Sequence, residues 1–230
     1  IWMERCKRQT GAYGMKEGCW LANHVTGKLF RLGRLQFMLA RKAVPAMIYE
    51  NGEGRVMPLC PNGARYGYDG RPISAQTDGW TAHLDDNGRE IIGHGIDARG
   101  LALAQENLMP HRGWRRVFAP NDLTIEVHIP EGEPLGERSV RASLERAPAF
   151  FEQNFQQSPP LLVCESWLMD SALATLAPES RIAAFQKRFV LIAADLSDRQ
   201  MRERVFDDAD PLAVTPETGL QRAIQRFYRD

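Results

Sequence analysis

The stretch from Leu123 to Cys164 constrains the fold of this chain more than any other. It reads LTIEVHIP, then a turn with two glycines, then a long helical pattern, then PPLLVC. Thr124, Glu126 and His128 alternate with Ile125, Val127 and Ile129, the two-residue period of a strand with one polar and one apolar face. Pro130 has no N–H to give a ladder and stops the strand. Gly132 to Gly136 form a turn. From Ser139, Val140, Leu144, Ala147 and Phe151 mark one apolar helical stripe, with Pro148 expected to kink it. Pro159 and Pro160 introduce LLVC, a wholly apolar run typical of a strand covered on both faces. Strand, helix and strand in that order form a crossover, which joins parallel strands.

The rest of the chain supplies the sheet and its cover. Residues 1–25 predict two short helices around a break at Gly11 and Gly14. LFRLGRLQFML at 29–39 alternates as one central strand, with Arg31, Leu35 and Phe37 on one face and Arg34 and Gln36 on the other. Residues 50–79, rich in Gly, Pro, Asn and Asp around Tyr66 and Tyr68, read as an irregular loop-rich insertion. Asp85-Asp86-Asn87-Gly88 separates strand-like runs at 80–84 and 89–93, a hairpin signal, and Gly93-His94-Gly95 is expected to end the second strand with His94 on its tip. Further on, helices are predicted from about Ser166 to Leu176 and Ser180 to Arg188, a strand at 190–194, and a helix around 198–206. A last helix is predicted to open at Thr215-Pro216-Glu217. The class is α/β of the α+β kind: a mixed, mainly antiparallel sheet with flanking helices.

Composition narrows the function. Of 230 residues, 29 are Lys or Arg and 29 are Asp or Glu, so no global field draws in nucleic acid or an anionic membrane. Cys6, Cys19, Cys60 and Cys164 form no Cys-x-x-Cys pair and the histidines no His-x-x-x-His, so no metal site is expected. No apolar run approaches the ~20 residues of a bilayer span, and no secretory leader is visible. A cytoplasmic location is expected. Because Ile1 to Lys7 runs straight into a helical pattern, the chain is expected to be a piece of something longer.

LGRLQF at 32–37, VHIPEG at 127–132, VCESWLMD at 163–170, FQKRF at 185–189 and TGLQRA at 218–223 together resemble the GNAT-like C-terminal domain of a family of predicted bacterial N-acyltransferases. The resemblance implies a helical lead-in at 1–28, the end of a missing N-terminal helical domain, and a GNAT-like domain at 29–230. It implies acyl transfer from an acyl-CoA thioester to an amine acceptor, with coenzyme A as co-substrate. The strands at 123–129 and 161–164 would part to form a wedge for the acyl-CoA. Ile129, Gly132, Leu135, Gly136 and Ser139 would then meet it where backbone N–H groups lead into a helix N-terminus. The Arg/Gln-x-x-Gly-x-Gly/Ala loop of general GNAT proteins is not matched by PEGEPLGERS, and Glu131, Glu133 and Glu137 place negative charge there. An inactive ligand- or partner-binding module is therefore the alternative.

Acyl transfer to an amine needs a base, a donor for the thioester carbonyl and an acid for the leaving thiolate. His128 and Glu126, two apart on one strand face, are candidates for the base; His128 equally suits a bond to the following turn. Cys164 ends the next strand, either as a nucleophile paired with His128 or as a small core residue. Arg34 and Gln36 line the acceptor site or pack against a neighbouring helix. Trp167 is core or pocket wall, and Ser166 is a helix cap.

Overall fold

The structure is a computed structural model that describes residues 2–14, 18–192 and 199–229. Two helices lead in, α1 (Trp2–Thr10) and α2 (Gly18–Val25). Ten strands follow in the described residues: β1 (Phe30–Leu32), β2 (Leu35–Arg41), β3 (Met47–Asn51), β4 (Val56–Leu59), β5 (Arg65–Tyr66), β6 (Trp80–Thr81), β7 (Leu84–Asp86), β8 (Glu90–Ile96), β9 (Ala102–Pro110) and β10 (Trp114–Phe118). Then come β11 (Leu123–His128), α3 (Glu137–Phe155) and β12 (Leu162–Val163). A 3-10 turn at Trp167–Met169 leads to α4 (Ser171–Leu176), α5 (Arg181–Gln186), α6 (Arg199–Phe206) and α7 (Gly219–Arg229).

One sheet has the order β1-β2-β11-β12, antiparallel except for the β11–β12 pair, which is parallel across α3. The 29–39 segment is therefore a hairpin and not the single strand its alternation predicts. Gly33, at φ +77°, takes the left-handed conformation that reverses the chain, so that Leu32 faces Leu35 and Arg31 faces Gln36. Arg31 thereby shares a face with Gln36, and Arg34 sits in the turn, the opposite of the expected partition. The apolar face, with Leu32, Leu35, Phe37, Ile125 and Val127, packs against Val140, Ala147 and Phe151 of α3 and Phe185 of α5. Phe37 and Phe151 are fully buried, each stabilising by roughly 1.5–3 kcal/mol relative to exposure. The helix continues through Pro148.

Residues 47–118 build a second sheet, ordered β10-β3-β4-β8-β7 with β9 on β8, and the small β5–β6 pair. The predicted irregular loop at 50–79 is largely turns between short strands: Asn51 Oδ1 accepts from the N–H groups of Glu53 and Arg55, closing β3 onto β4. Gly and Asn mark those reversals. At the expected hairpin Asp86 faces Ile91, so the loop has four residues and only Gly88 takes positive φ. Asn87 Oδ1 caps Arg89 and Glu90. His94 is not on a tip: β8 runs on to Ile96, and His94 is buried with Nδ1 3.0 Å from the Leu103 carbonyl. The ends of this module meet where the Asn121 N–H donates to the Lys42 carbonyl at 2.8 Å.

The helices after β12 start at local caps. Ser166 accepts from Leu168 N–H, Asp170 from Ala172 N–H and Ser180 from Ala183 N–H. Asp170 divides the predicted 166–176 helix into the 3-10 turn and α4. The last helix opens at Gly219 and not at Pro216, because Thr218 and Gln221 cap each other reciprocally at 3.1 and 3.0 Å. Of the predicted strand at 190–194, Val190 to Ile192 are outside any strand and 193–194 lie outside the described residues. Among the described residues no helix is long and apolar enough to cross a membrane.

Candidate active site

The antiparallel register sets Gln36 opposite His128, Met38 opposite Glu126 and Ala40 opposite Thr124, all on the sheet face away from α3. Directly opposed residues share a face, so the polar half of β11 lines up with the even positions of β2. On its other side β11 bonds β12 at only two positions, Ile125 with Leu162 and Glu126 with Val163. Past Glu126 the ladder stops, and Val127, His128 and Ile129 have no opposite number on β12. The end of this pair at which parting is predicted is where His128 sits, unpaired on the β12 side.

Charge is concentrated around Glu126, at the last rung. Lys42, just past β2, places its Nζ 2.8 Å from Glu126 Oε1 and 3.1 Å from Glu165 Oε2. His128 Nε2 faces the same Glu126 Oε1 at 3.6 Å, beyond hydrogen-bond reach, and this buried nitrogen has no hydrogen-bond partner. The Trp20 ring of α2 covers the imidazole edge-on, with centroids 4.5 Å apart. Glu126 is only 6% exposed. Burial by itself would raise its pKa, but His128 and Lys42 together hold it below the ordinary carboxylate value. For Lys42 burial works downward, and Glu126 and Glu165 outweigh it to raise its pKa. Burial first, then the Glu126 and Glu165 charges, push the Cys164 thiol up to about 12. A thiol so placed stays protonated at neutral pH, the reverse of what a covalent nucleophile requires.

The turn after β11 is shaped from below by Arg34. Its guanidinium, on a residue 5% exposed, donates to the carbonyls of Pro130 at 2.9 Å, Pro134 at 3.2 Å and Glu133. The Arg34 N–H donates to Ser143 Oγ of α3 at 2.9 Å. Gly132 takes φ +106°, and Gly136 is the N-cap of α3, with no side chain to satisfy the first N–H groups. Ser139 Oγ donates back to the Gly136 carbonyl. Each of the three glutamates is matched by an arginine from elsewhere: Glu131 by Arg204 at 3.4 Å, Glu133 by Arg31 at 3.0 Å and Glu137 by Arg188 at 3.0 Å. The carboxylates that speak against an anion at this helix start are thus locally compensated.

This arrangement agrees with the sequence-level likeness. The family model for the GNAT-like C-terminal domain matches residues 29–230. The chain belongs to that family. Among curated proteins none matches its sequence. Solved structures similar to this GNAT-like domain include an acyltransferase in complex with decanoyl-CoA and teicoplanin, at 20% identity and a TM-score of 0.57. An acyltransferase in complex with CoA and 10C-teicoplanin matches at 19% identity with the same TM-score. Both alignments cover 99% of this chain and 50% of the other, so the chain spans about half the length of the structures it matches. At that identity the likeness establishes the fold.

The GNAT-like fold brings some of the expected site residues together and separates others. His128, Glu126 and Gln36 share one face. Ile129 and Leu135 are half-buried against the main core, beside Gly136 and Ser139 at the start of α3. Trp167 packs instead among the late helices, with Leu173, Phe206 and Ile224. Arg34 spends its guanidinium on the turn. Lys42, Glu165 and Trp20 adjoin these candidate residues and were missed by sequence reasoning; Lys42 stands in a basic cluster with Arg41, and its contact across the sheet is what marks it.

Proposed function

We propose that this GNAT-like domain transfers an acyl group from an acyl-CoA thioester to an amine, with His128 as general base. The observation that carries the reading is the two-rung parallel pair, which ends where a half-buried His128 faces Glu126 and where the backbone turns into the N-terminus of α3. The acyl-CoA enters between the parted strands, with its phosphates toward Gly132, Gly136 and Ser139 and its acyl arm along Ile129 and Leu135. The amine nitrogen attacks the thioester carbonyl carbon, the C–S bond breaks, the amine proton goes to His128, and the His128 imidazolium then returns it, through water, to the departing thiolate, which leaves as coenzyme A. Gln36, opposite His128, borders the acceptor. Cys164 is a neutral wall residue in this scheme. The acidic turn that favours a non-catalytic binding module is offset by Arg31, Arg188 and Arg204.

Calorimetric titration of the chain with coenzyme A and decanoyl-CoA, followed by CoA release in the presence of primary amines and teicoplanin, tests the reading. Binding is expected, and His128→Ala is expected to lower kcat by about 10²–10⁴ with coenzyme A affinity retained. An undiminished rate in His128→Ala removes the base, and no binding removes the site in favour of the binding module.

A further inference from the structure

Glu126 lies at the last rung between β11 and β12 with a side chain almost wholly removed from water, where a carboxylate without a partner takes up a proton. The groups around it come from three directions. From the end of β2 comes the Lys42 ammonium, from its own strand the His128 imidazole, and from the segment after β12 Cys164 and Glu165. Opposite it on β2 stands Met38, which is apolar. The full positive charge against Glu126 is therefore Lys42, at 2.8 Å, and the same ammonium reaches Glu165 at 3.1 Å, tying the polar edge of β11 to the segment that follows β12. The backbone beneath it is fixed as well, since the Lys42 carbonyl accepts from Asn121 N–H at 2.8 Å. One oxygen, Glu126 Oε1, faces both Lys42 Nζ and His128 Nε2.

We propose that Lys42 is a positioning residue for acyl transfer: bridging Glu126 and Glu165, it fixes the Glu126 carboxylate near His128 as the counter-charge to the imidazolium, which leaves His128 as the sole proton acceptor. This rests on the acyl-transfer reading above. It divides the two base candidates into distinct roles. When the amine proton arrives on Nδ1, the imidazolium presents Nε2–H to Glu126 Oε1, and a carboxylate already held there by Lys42 stabilises the charge without having to move. A Glu126 left without Lys42 competes with His128 for protons, and the pair as a whole binds them more tightly because a nearby positive charge is gone.

The test compares Lys42→Met, Lys42→Arg and His128→Ala in the full chain, using decanoyl-CoA with a primary amine from pH 5 to 9. Lys42→Met is expected to lower kcat at neutral pH by about tenfold or more, less than loss of the base itself, with KM for decanoyl-CoA unchanged. The acid limb of kcat/KM should move to higher pH, and Lys42→Arg, which keeps the charge, should restore its position. A purely structural lysine would alter the melting temperature and leave that limb in place. Lys42→Met with a wild-type rate and pH profile, alongside an inactive His128→Ala, overturns the role of Lys42 and leaves the acyl-transfer reading standing. An active His128→Ala overturns that reading, and the role of Lys42 with it. If Lys42→Met does not melt cooperatively, Lys42→Gln carries the same comparison.

Discussion

Replacing Arg34 by Met removes a buried fork that holds three carbonyls of the 130–134 turn while leaving its aliphatic stem. Hydrogen bonds from a charged donor contribute about 1.5–3 kcal/mol each. Glu133 and Pro134 are exposed, so water replaces the guanidinium at two of the three carbonyls, whereas Pro130 is half-buried and is left poorer. The expected cost is therefore about 3 kcal/mol, near the upper end for one such bond and well below three times that figure. In a domain of this length that is a fall in Tm of roughly 6–12 °C. Arg34→Lys, with one ammonium in place of a planar fork, should recover less than half of it. Because the same turn leads into α3, coenzyme A affinity should weaken in step with Tm. Thermal melts and calorimetry on the two variants measure both quantities. An Arg34→Met chain that melts within about 2 °C of wild type, or an Arg34→Lys chain indistinguishable from wild type, would refute the claim that the fork shapes the turn.

Gly33→Ala is expected to lose about 1–2 kcal/mol for the left-handed conformation and more for a Cβ placed 2.9 Å from Ser143 Oγ. Urea melts of Gly33→Ala with and without Ser143→Gly should show partial relief in the double variant, and strict additivity would argue against the contact. Burial pushes the Cys60 thiol up to about 11 and that of Cys164 up to about 12, whereas unfolded thiols ionise near pH ~8.5. Stability from these two groups is thus complete below that pH and declines as pH rises toward 11–12. Denaturant titrations at pH 7 and 10 should show this, with a shallower decline in the Cys60→Ala, Cys164→Ala double variant; an equal decline would count against it. Intact-mass analysis after decanoyl-CoA incubation should show no adduct on Cys164, and an acylated Cys164 would displace the direct-attack scheme.

The crossover from β11 through α3 to β12 was legible because each element carries its own period and its own stop: alternation ended by Pro130, a stripe through Val140, Ala147 and Phe151, and two prolines before LLVC. Ser166 was legible as a cap and Ser180 as a helix start, since the bonds they make lie within three residues. The hairpin at 30–41 was not, because a reversal across two residues leaves the run of alternating letters intact while exchanging which letters share a face. That exchange put Arg31 with Gln36 and took Arg34 off the sheet. Lys42 and the arginines that meet Glu131, Glu133 and Glu137 were invisible for a different reason. Their partners are many tens of residues away, and no local spacing records a contact that only the completed sheet creates.

The bond from Asn121 to Lys42 bears on the order in which the molecule assembles. Joining β2 to β11 through an open, unstructured chain of that length would cost roughly 4 kcal/mol in closure entropy. Several of the intervening pairings are hairpins whose partners lie close in sequence, such as β3 with β4 and β7 with β8, and local pairings of that kind form early. Once they have shortened the open chain, the long-range pairing of β10 with β3, Phe118 with Ile48, sets the two ends of the module side by side, and the sheet that carries His128 closes over a short gap. The second sheet is in this sense a folding clamp for the first: a lesion in β3 or β4 should slow the formation of a site that neither strand touches.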